Sequence, residues 1–514
     1  MSVAAKVSAF GVLAVLAGVG TVYAPLPAFA AVAAAFSLIL WSFTRGRLPR
    51  SAEPEVSKDV LKEDKSHSTL TTKLVSGYLL VWWLALIAPI LQYSPRGGSS
   101  AGVAQAATEG SLRNQVLIAS FGLVGSLFLP AAMKRLDPAF RWVAALWTLY
   151  LGWAFASLLW TVYPPLTLRS TVAFALVSVG TFGLSAGFYG RHPNGRDLFL
   201  RHVFVAGVLS ALVVILPLPF RGGQYDILSP SGRLKIGGDF STYVSRPVLC
   251  ALLVLVVTPI LGIRRWRRWD WFWIAVLVVP LLALKPRGPV LWAMLALAIF
   301  YLFYRSRVRD RVLQAGLLLV ICLGAYVSYS EGVFVQLAPY LTRGNVESTM
   351  TLTGRIPLWE VLLSEIGQHP WMGVGFAAFW SSENLYRIEQ LVGFSATSAH
   401  NGYMEELLNT GLVGLAILLT LFVHTMAVVL RKARRGDPFG WLAFLFLIFY
   451  LLLNLTNALI QNYLQMPFVI LLAILGLMAS TPVTNLPALP KTPGVARQRV
   501  ASSPRSPRIE SFYR

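Results

Sequence analysis

Apolar runs of 16 to 23 residues recur along the whole chain, and they restrict its fold more than any other feature. A helix needs about 20 apolar residues to cross a hydrocarbon core about 30 Å thick. Only 13% of the residues are charged and 56% are apolar, whereas soluble domains carry about 25% charged residues. A single globular enzyme in water is thereby excluded. The expectation is an all-α polytopic integral membrane protein with about 12 to 14 transmembrane helices.

Fourteen candidate spans can be placed: 3–23, 26–43, 74–91, 115–133, 142–163, 170–188, 203–218, 247–263, 269–284, 289–304, 312–329, 408–430, 439–455 and 463–480. With a cytoplasmic N-terminus, 32 of the 44 Lys and Arg fall inside, giving +21 inside and +1 outside. The net charge of +22 is therefore topological, and no nucleic-acid partner is expected. Lys6, the apolar run after it and Ala28-Phe29-Ala30 imitate a signal peptide, but removing that stretch would leave later orientations unchanged. Cys250 and Cys322 both lie in apolar runs and read as core residues.

The expected organisation is spans 1 and 2 within 1–43, a charged cytoplasmic loop at 44–73 and five spans over 74–218. An external loop at 219–246 leads to four spans over 247–329, then a large helical external segment at 330–407. Three spans over 408–480 and a disordered basic cytoplasmic tail at 481–514 complete the chain. The tail's cations and the loop cations place membrane lipids among the expected partners.

Chemistry is expected in the large external segment. Ile356, Trp359, Leu362, Leu363 and Ile366 follow helical spacing after Thr353-Gly354, and a second helix is expected to begin near Ser398 and run into the twelfth span. With Ser398 as its cap, His400 would occupy the first helical turn, where the helix dipole favours a neutral, proton-accepting imidazole. Taken alone, His400 reads either as a cap-region surface histidine or as a general base. His369, before Pro370, reads as a turn residue; His67, His192 and His202 are expected near the cytoplasmic surface, and His424 within a span.

Arg233, Arg287 and Arg355 sit in Ser-Gly-Arg, Lys-Pro-Arg-Gly and Thr-Gly-Arg settings, with Lys235, Lys285 and Arg246 nearby. Such guanidinium groups suit a diphosphate on a membrane-anchored substrate, or else are interfacial cations reaching to headgroups. Pro286, Gly288 and Pro289 are expected to hold Arg287 in a tight turn between spans. Gly373-Val374-Gly375, among Trp371, Phe376, Phe379 and Trp380, is no dinucleotide fingerprint. Those aromatics read as packing onto the bilayer or as a groove for sugar rings. Glu405 and Glu406 read as an ordinary interfacial helix start, and no acidic or histidine spacing supports a metal or cofactor site.

Thr353-Gly354-Arg355 with Trp359, His369 through Phe376, and His400-Asn401 followed after nine residues by Gly411-Leu412-Val413-Gly414 together resemble the O-antigen ligase and polymerase superfamily. Pro286-Arg287-Gly288 is similar to that family's Ser-Arg-Gly turn, and Ser231-Gly232-Arg233 resembles it more loosely. The pattern covers roughly 200–460, with the specific motifs in 353–414. After Phe240 this chain has Ser241-Thr242-Tyr243-Val244 where many relatives show a His-Pro-Asn-like run, so Arg233 is the least secure match.

The resemblance implies a metal-independent inverting glycosyltransferase without cofactor, acting on undecaprenyl-diphosphate-linked glycan at the periplasmic face of a bacterial cytoplasmic (inner) membrane. It implies His400 as catalytic base and Arg355, Arg287 and Arg233 as diphosphate-binding residues. Asn401, Gly354, Trp359, Gly411 and Gly414 would be supporting residues. The stretch from Leu352-Thr353-Gly354-Arg355 through Phe379-Trp380, including its Gly-Phe-x-x-Phe-Trp ending, most resembles exopolysaccharide polymerases. An O-antigen ligase using lipid A-core is the alternative, with a protein O-oligosaccharyltransferase third. Chain-length regulator and flippase proteins are the expected protein partners. From other classes, a non-catalytic scaffold and a flippase or transporter compete; the latter would place ionisable groups within its spans, which here look almost free of charge.

Overall fold

The computed structural model describes residues 112–215 except 191 and 193, 241–305 except 285, 355–462 except 395, and 465–480. The expected spans at 3–23, 26–43, 74–91 and 312–329, the tail, Arg233, Lys235, Gly354, His67 and Cys322 lie outside the described residues.

Among the described residues the fold is all-α, with no strand. The helices are α1 (Leu112–Met133), α2 (Arg141–Ala156), α3 (Pro164–Leu184), α4 (Gly195–Ile215), α5 (Ser241–Ile260), α6 (Arg268–Leu284), α7 (Arg287–Arg305), α8 (Arg355–Gln368), α9 (Ser382–Val392), α10 (Gly402–Arg434), α11 (Pro438–Leu453) and α12 (Met466–Ala479). A helix occupies each of the ten expected spans that fall on described residues. Three helical stretches, Pro138–Leu159, Pro164–Tyr189 and Gly402–Arg434, are long and apolar enough to cross a bilayer, and shorter apolar helices surround them. This is an all-α membrane protein.

Local chemistry sets the boundaries. The Asp437 carboxylate accepts from the Phe439 N–H at 3.0 Å to cap α11, with Pro438 opening the helix where an N–H would have no partner. Pro164 opens α3 in the same way. α1 lies against α3 where Gly125 faces Gly180; a Cβ on Gly125 would stand 2.2 Å from the Gly180 Cα, so only paired glycines allow this approach. α11 and α12 are apolar all round and correspondingly buried at the centre, against α7, α10 and α3. Leu123, Leu127, Trp269 and Trp271 point outward, as lipid-facing and interfacial side chains do.

A second, smaller core belongs to the segment before α10. Leu358, Leu362, Phe379, Ile388, Ala396 and Ala399 pack together with Leu408 of α10. This attaches α8 and α9 to the first turns of the long helix. The expected helix after Thr353-Gly354 is α8, though it buries Leu358 and Leu362 while Leu363 stays exposed.

Candidate functional site

α10 is broken near its start. Gly411 has φ 68° and ψ −170°, which separates 402–410 from 412–434 and frees backbone groups that an unbroken helix would pair. The 370–375 loop supplies the replacements: Val374 and Gly375 donate to the carbonyls of Leu408 and Asn409 at 3.0 and 2.9 Å. In return, Leu412 and Val413 donate to the carbonyls of Pro370 and Trp371 at 2.8 and 3.2 Å. Such close insertion requires glycine on both sides. A Cβ on Gly411 would lie 2.3 Å from the Trp371 carbonyl oxygen, and one on Gly373, whose φ is 65°, would lie 2.5 Å from the Asn409 carbonyl. Gly-Val-Gly is thus a splice into a broken helix. Of the aromatics around it, Phe376 and Phe379 are buried while Trp371 is exposed. Gly414, one turn on, faces Trp153 of α2, whose indole N–H donates to the Thr410 carbonyl at 3.1 Å.

His400 stands just before this broken helix, and the expected cap is corrected. Asn401, not Ser398, caps α10: its side-chain oxygen accepts from the N–H groups of Tyr403 and Met404 at 2.9 and 3.1 Å. Ser398 instead accepts from the His400 N–H at 3.4 Å. His400 therefore lies outside the first turn, at φ 50°, a left-handed conformation rare for a residue with a side chain. Its neighbours hold it there. The Trp359 indole N–H donates to the Ala399 carbonyl at 2.8 Å, the Glu405 carboxylate accepts from the Ala399 N–H at 2.8 Å, and the Gly402 N–H donates to the Asn454 carbonyl at 2.7 Å.

The turn that receives Gly402 also receives a cation. Arg355, the first residue of α8, donates to the Thr456 carbonyl at 3.2 Å, and no ion pair among the described residues includes it. Burial pushes its guanidinium down from the ordinary arginine value. α7 reaches the same turn: the Trp292 indole donates to the Thr456 hydroxyl at 2.8 Å, and Gly288 is its neighbour. Arg287 opens α7 as its first helical residue and is not held in a turn apart from it, so the backbone of the Pro-Arg-Gly motif is brought beside the Arg355 turn. Arg246, buried in α5, donates to Gln465 and Asn457 at 2.7 and 2.8 Å, tying a further cation to the α11–α12 connection.

Glu405 and Glu406 are buried, which corrects their reading as an interfacial helix start. They follow the cap directly, and the broken, spliced helix draws them into the protein. Glu406 accepts from the Tyr150 hydroxyl of α2 at 2.8 and 2.9 Å, from the Gln461 amide at 3.0 Å, and from Thr410. Arg246, Glu405 and Glu406 lie on apolar helices just outside the expected spans at 247–263 and 408–430, and each has polar partners. His202 is buried beside the Tyr189 hydroxyl. His369 lies in a turn, as expected.

Sequence reasoning also missed α9, although Ser381 before it and a left-handed Gly393 after it are ordinary start and stop signals. The polar run Asn454, Thr456, Asn457, Gln461 and Gln465 between two very apolar helices was the signal for the hub turn. Beneath the site, an apolar cavity of about 310 Å³ is lined by Trp147, Tyr150, Phe174, Phe422 and Phe468, but neither His400 nor Arg355 reaches it. Among the described residues, no three His, Cys, Asp or Glu side chains gather as metal ligands would.

Residues 281–419 match the O-antigen ligase family model, a stretch that holds Arg287, Arg355, His400, Gly411 and Gly414. Over 92 residues the chain is 35% identical to "Exopolysaccharide production protein ExoQ" of Rhizobium meliloti (strain 1021). That match covers 17% of this chain and 21% of the relative.

Proposed function

We propose that this chain is a membrane glycosyltransferase that polymerises undecaprenyl-diphosphate-linked oligosaccharide repeat units at the periplasmic face of a bacterial cytoplasmic membrane, with both termini cytoplasmic. The observation that carries this reading is the shared turn at 454–457. It accepts a backbone N–H two residues after His400 and the guanidinium of Arg355, a partly buried cation with no acidic partner among the described residues.

In this reaction His400 takes the proton from an acceptor hydroxyl of the incoming repeat. The freed oxygen attacks the anomeric carbon of the donor chain from the face opposite the diphosphate, and the C–O bond to the diphosphate breaks, with inversion. Arg355, with Arg287 and Arg233, offsets the charge growing on the departing diphosphate. Guanidinium groups serve that purpose without a metal. Asn401, Trp359 and Gly411 keep His400 in place, Gly414 keeps α10 close to α2, and Gly354 leads into Arg355. Chain-length regulator and flippase proteins would be partners, and nucleic acid would not.

The description of the matched family favours a second reading, an O-antigen ligase that delivers the same donor to lipid A-core. The purified chain in nanodiscs, given an undecaprenyl-diphosphate repeat unit alone, separates the two. A ladder of longer lipid-linked chains supports the polymerase. Product formed only after lipid A-core is added supports the ligase and overturns the polymerase. Movement of the lipid-linked unit between leaflets without any new glycosidic bond would indicate a transporter.

A further inference from the structure

Glu405 is buried, five residues beyond His400, and it has no place in the bond-making step above. One carboxylate oxygen accepts from the Trp380 indole N–H at 2.6 Å and from the Asn409 amide at 3.3 Å. The other accepts from the Ala399 N–H at 2.8 Å. Trp359 takes the carbonyl of the same residue at 2.8 Å, so both peptide units flanking Ala399 are fixed, one by each side chain. On the far side of His400, the Asn401 cap and the Gly402 bond to Asn454 complete the restraint. A residue at φ 50° keeps that conformation only where its surroundings over-determine it.

We propose that Glu405 is a positioning residue for His400: its carboxylate joins Trp380 to the Ala399 peptide and thereby sets the direction in which the imidazole leaves the chain. The inference rests on the reading of His400 as the base. It requires a carboxylate specifically. Trp380 and Ala399 donate to different oxygens of Glu405; glutamine replaces one of those oxygens with an NH₂, so either Trp380 or Ala399 would face a donor. A carboxylate acting only as packing would be replaced by glutamine without consequence for His400.

The test uses the full chain with Glu405→Gln, and it has three readouts. The first is the imidazole resonances of the protein's six histidines in detergent, with His400 assigned by its loss in His400→Ala. The second is the thermal melt. The third is the polysaccharide made by a strain whose own copy is replaced by the variant. The expected result is a shifted or broadened His400 resonance with the other histidines unmoved, a melt within a few degrees of wild type, and product reduced roughly 10- to 100-fold. In a His400→Ala background, Glu405→Gln should change the product no further. An unmoved His400 resonance in a folded Glu405→Gln protein overturns the inference, whatever happens to the product. If Glu405→Gln does not fold, Trp359→Phe releases the other peptide unit flanking Ala399 and must move the same resonance; if it does not, the inference falls. If His400→Ala keeps full product, the reading of His400 as base fails, and the resonance still decides the positioning.

Discussion

At the C-terminal end of α10, Lys432 is buried with its ammonium 2.7 Å from Asp137 and donates to the Met478 carbonyl at 2.6 Å. Just beyond, Asp437 pairs with Arg196 at 3.1 Å while capping α11. At the N-terminal end, Arg355 meets the Thr456 carbonyl and no acid among the described residues, and Glu405 and Glu406 accept from indole, amide, hydroxyl and backbone donors. One end is closed by opposite charges. The other holds acids satisfied by neutral donors and a cation without a counter-ion among the described residues, near a histidine at positive φ. The first arrangement is sufficient to hold helices together, and the second leaves positive charge available to an anionic ligand.

The comparison breaks if the two ends respond alike to substitution. Lys432→Ala leaves Asp137 unpaired against the bundle and should lower stability by about 3–5 kcal/mol, with turnover per folded molecule unchanged, as denaturation and lipid-linked glycan assays on the same sample would record. Arg355→Ala should do the opposite, reducing turnover by about 10²- to 10³-fold with little change in melting temperature. Gly411→Ala places a side chain against the Trp371 carbonyl at a positive φ and should cost about 1–3 kcal/mol, with faster amide exchange at 373–375 where the splice loosens. The smallest effect belongs to Arg387, whose ion pair with Glu365 at 2.6 Å holds its guanidinium above the ordinary value but is partly exposed. Arg387→Ala should cost under about 1 kcal/mol and leave turnover intact.

The spans were legible because uninterrupted apolar length is a one-dimensional signal, and each described helix from α1 to α7 and from α10 to α12 meets one of them. α8 was legible through its helical period after Thr353-Gly354. The cap was misplaced by three residues because Ser398 and Asn401 are both good caps, and only the tertiary contact of Gly402 with Asn454 selects the second. Glu405 and Glu406 misled because consecutive acids beside a cap look like a solvated first turn. Their burial depends on Tyr150, Trp380 and Gln461, which come from distant parts of the chain. The splice of Gly373-Val374-Gly375 into α10 was invisible for the same reason: neither strand of it is informative without the other.

The most direct measurement is release of undecaprenyl diphosphate, followed by ³¹P NMR, from an undecaprenyl-diphosphate repeat unit incubated with wild-type protein and with His400→Ala in nanodiscs. Wild type should release it in step with chain growth, and His400→Ala, folded by its melt, should be slower by about 10²- to 10⁴-fold. Release from His400→Ala at the wild-type rate would contradict the assignment of His400 as the base.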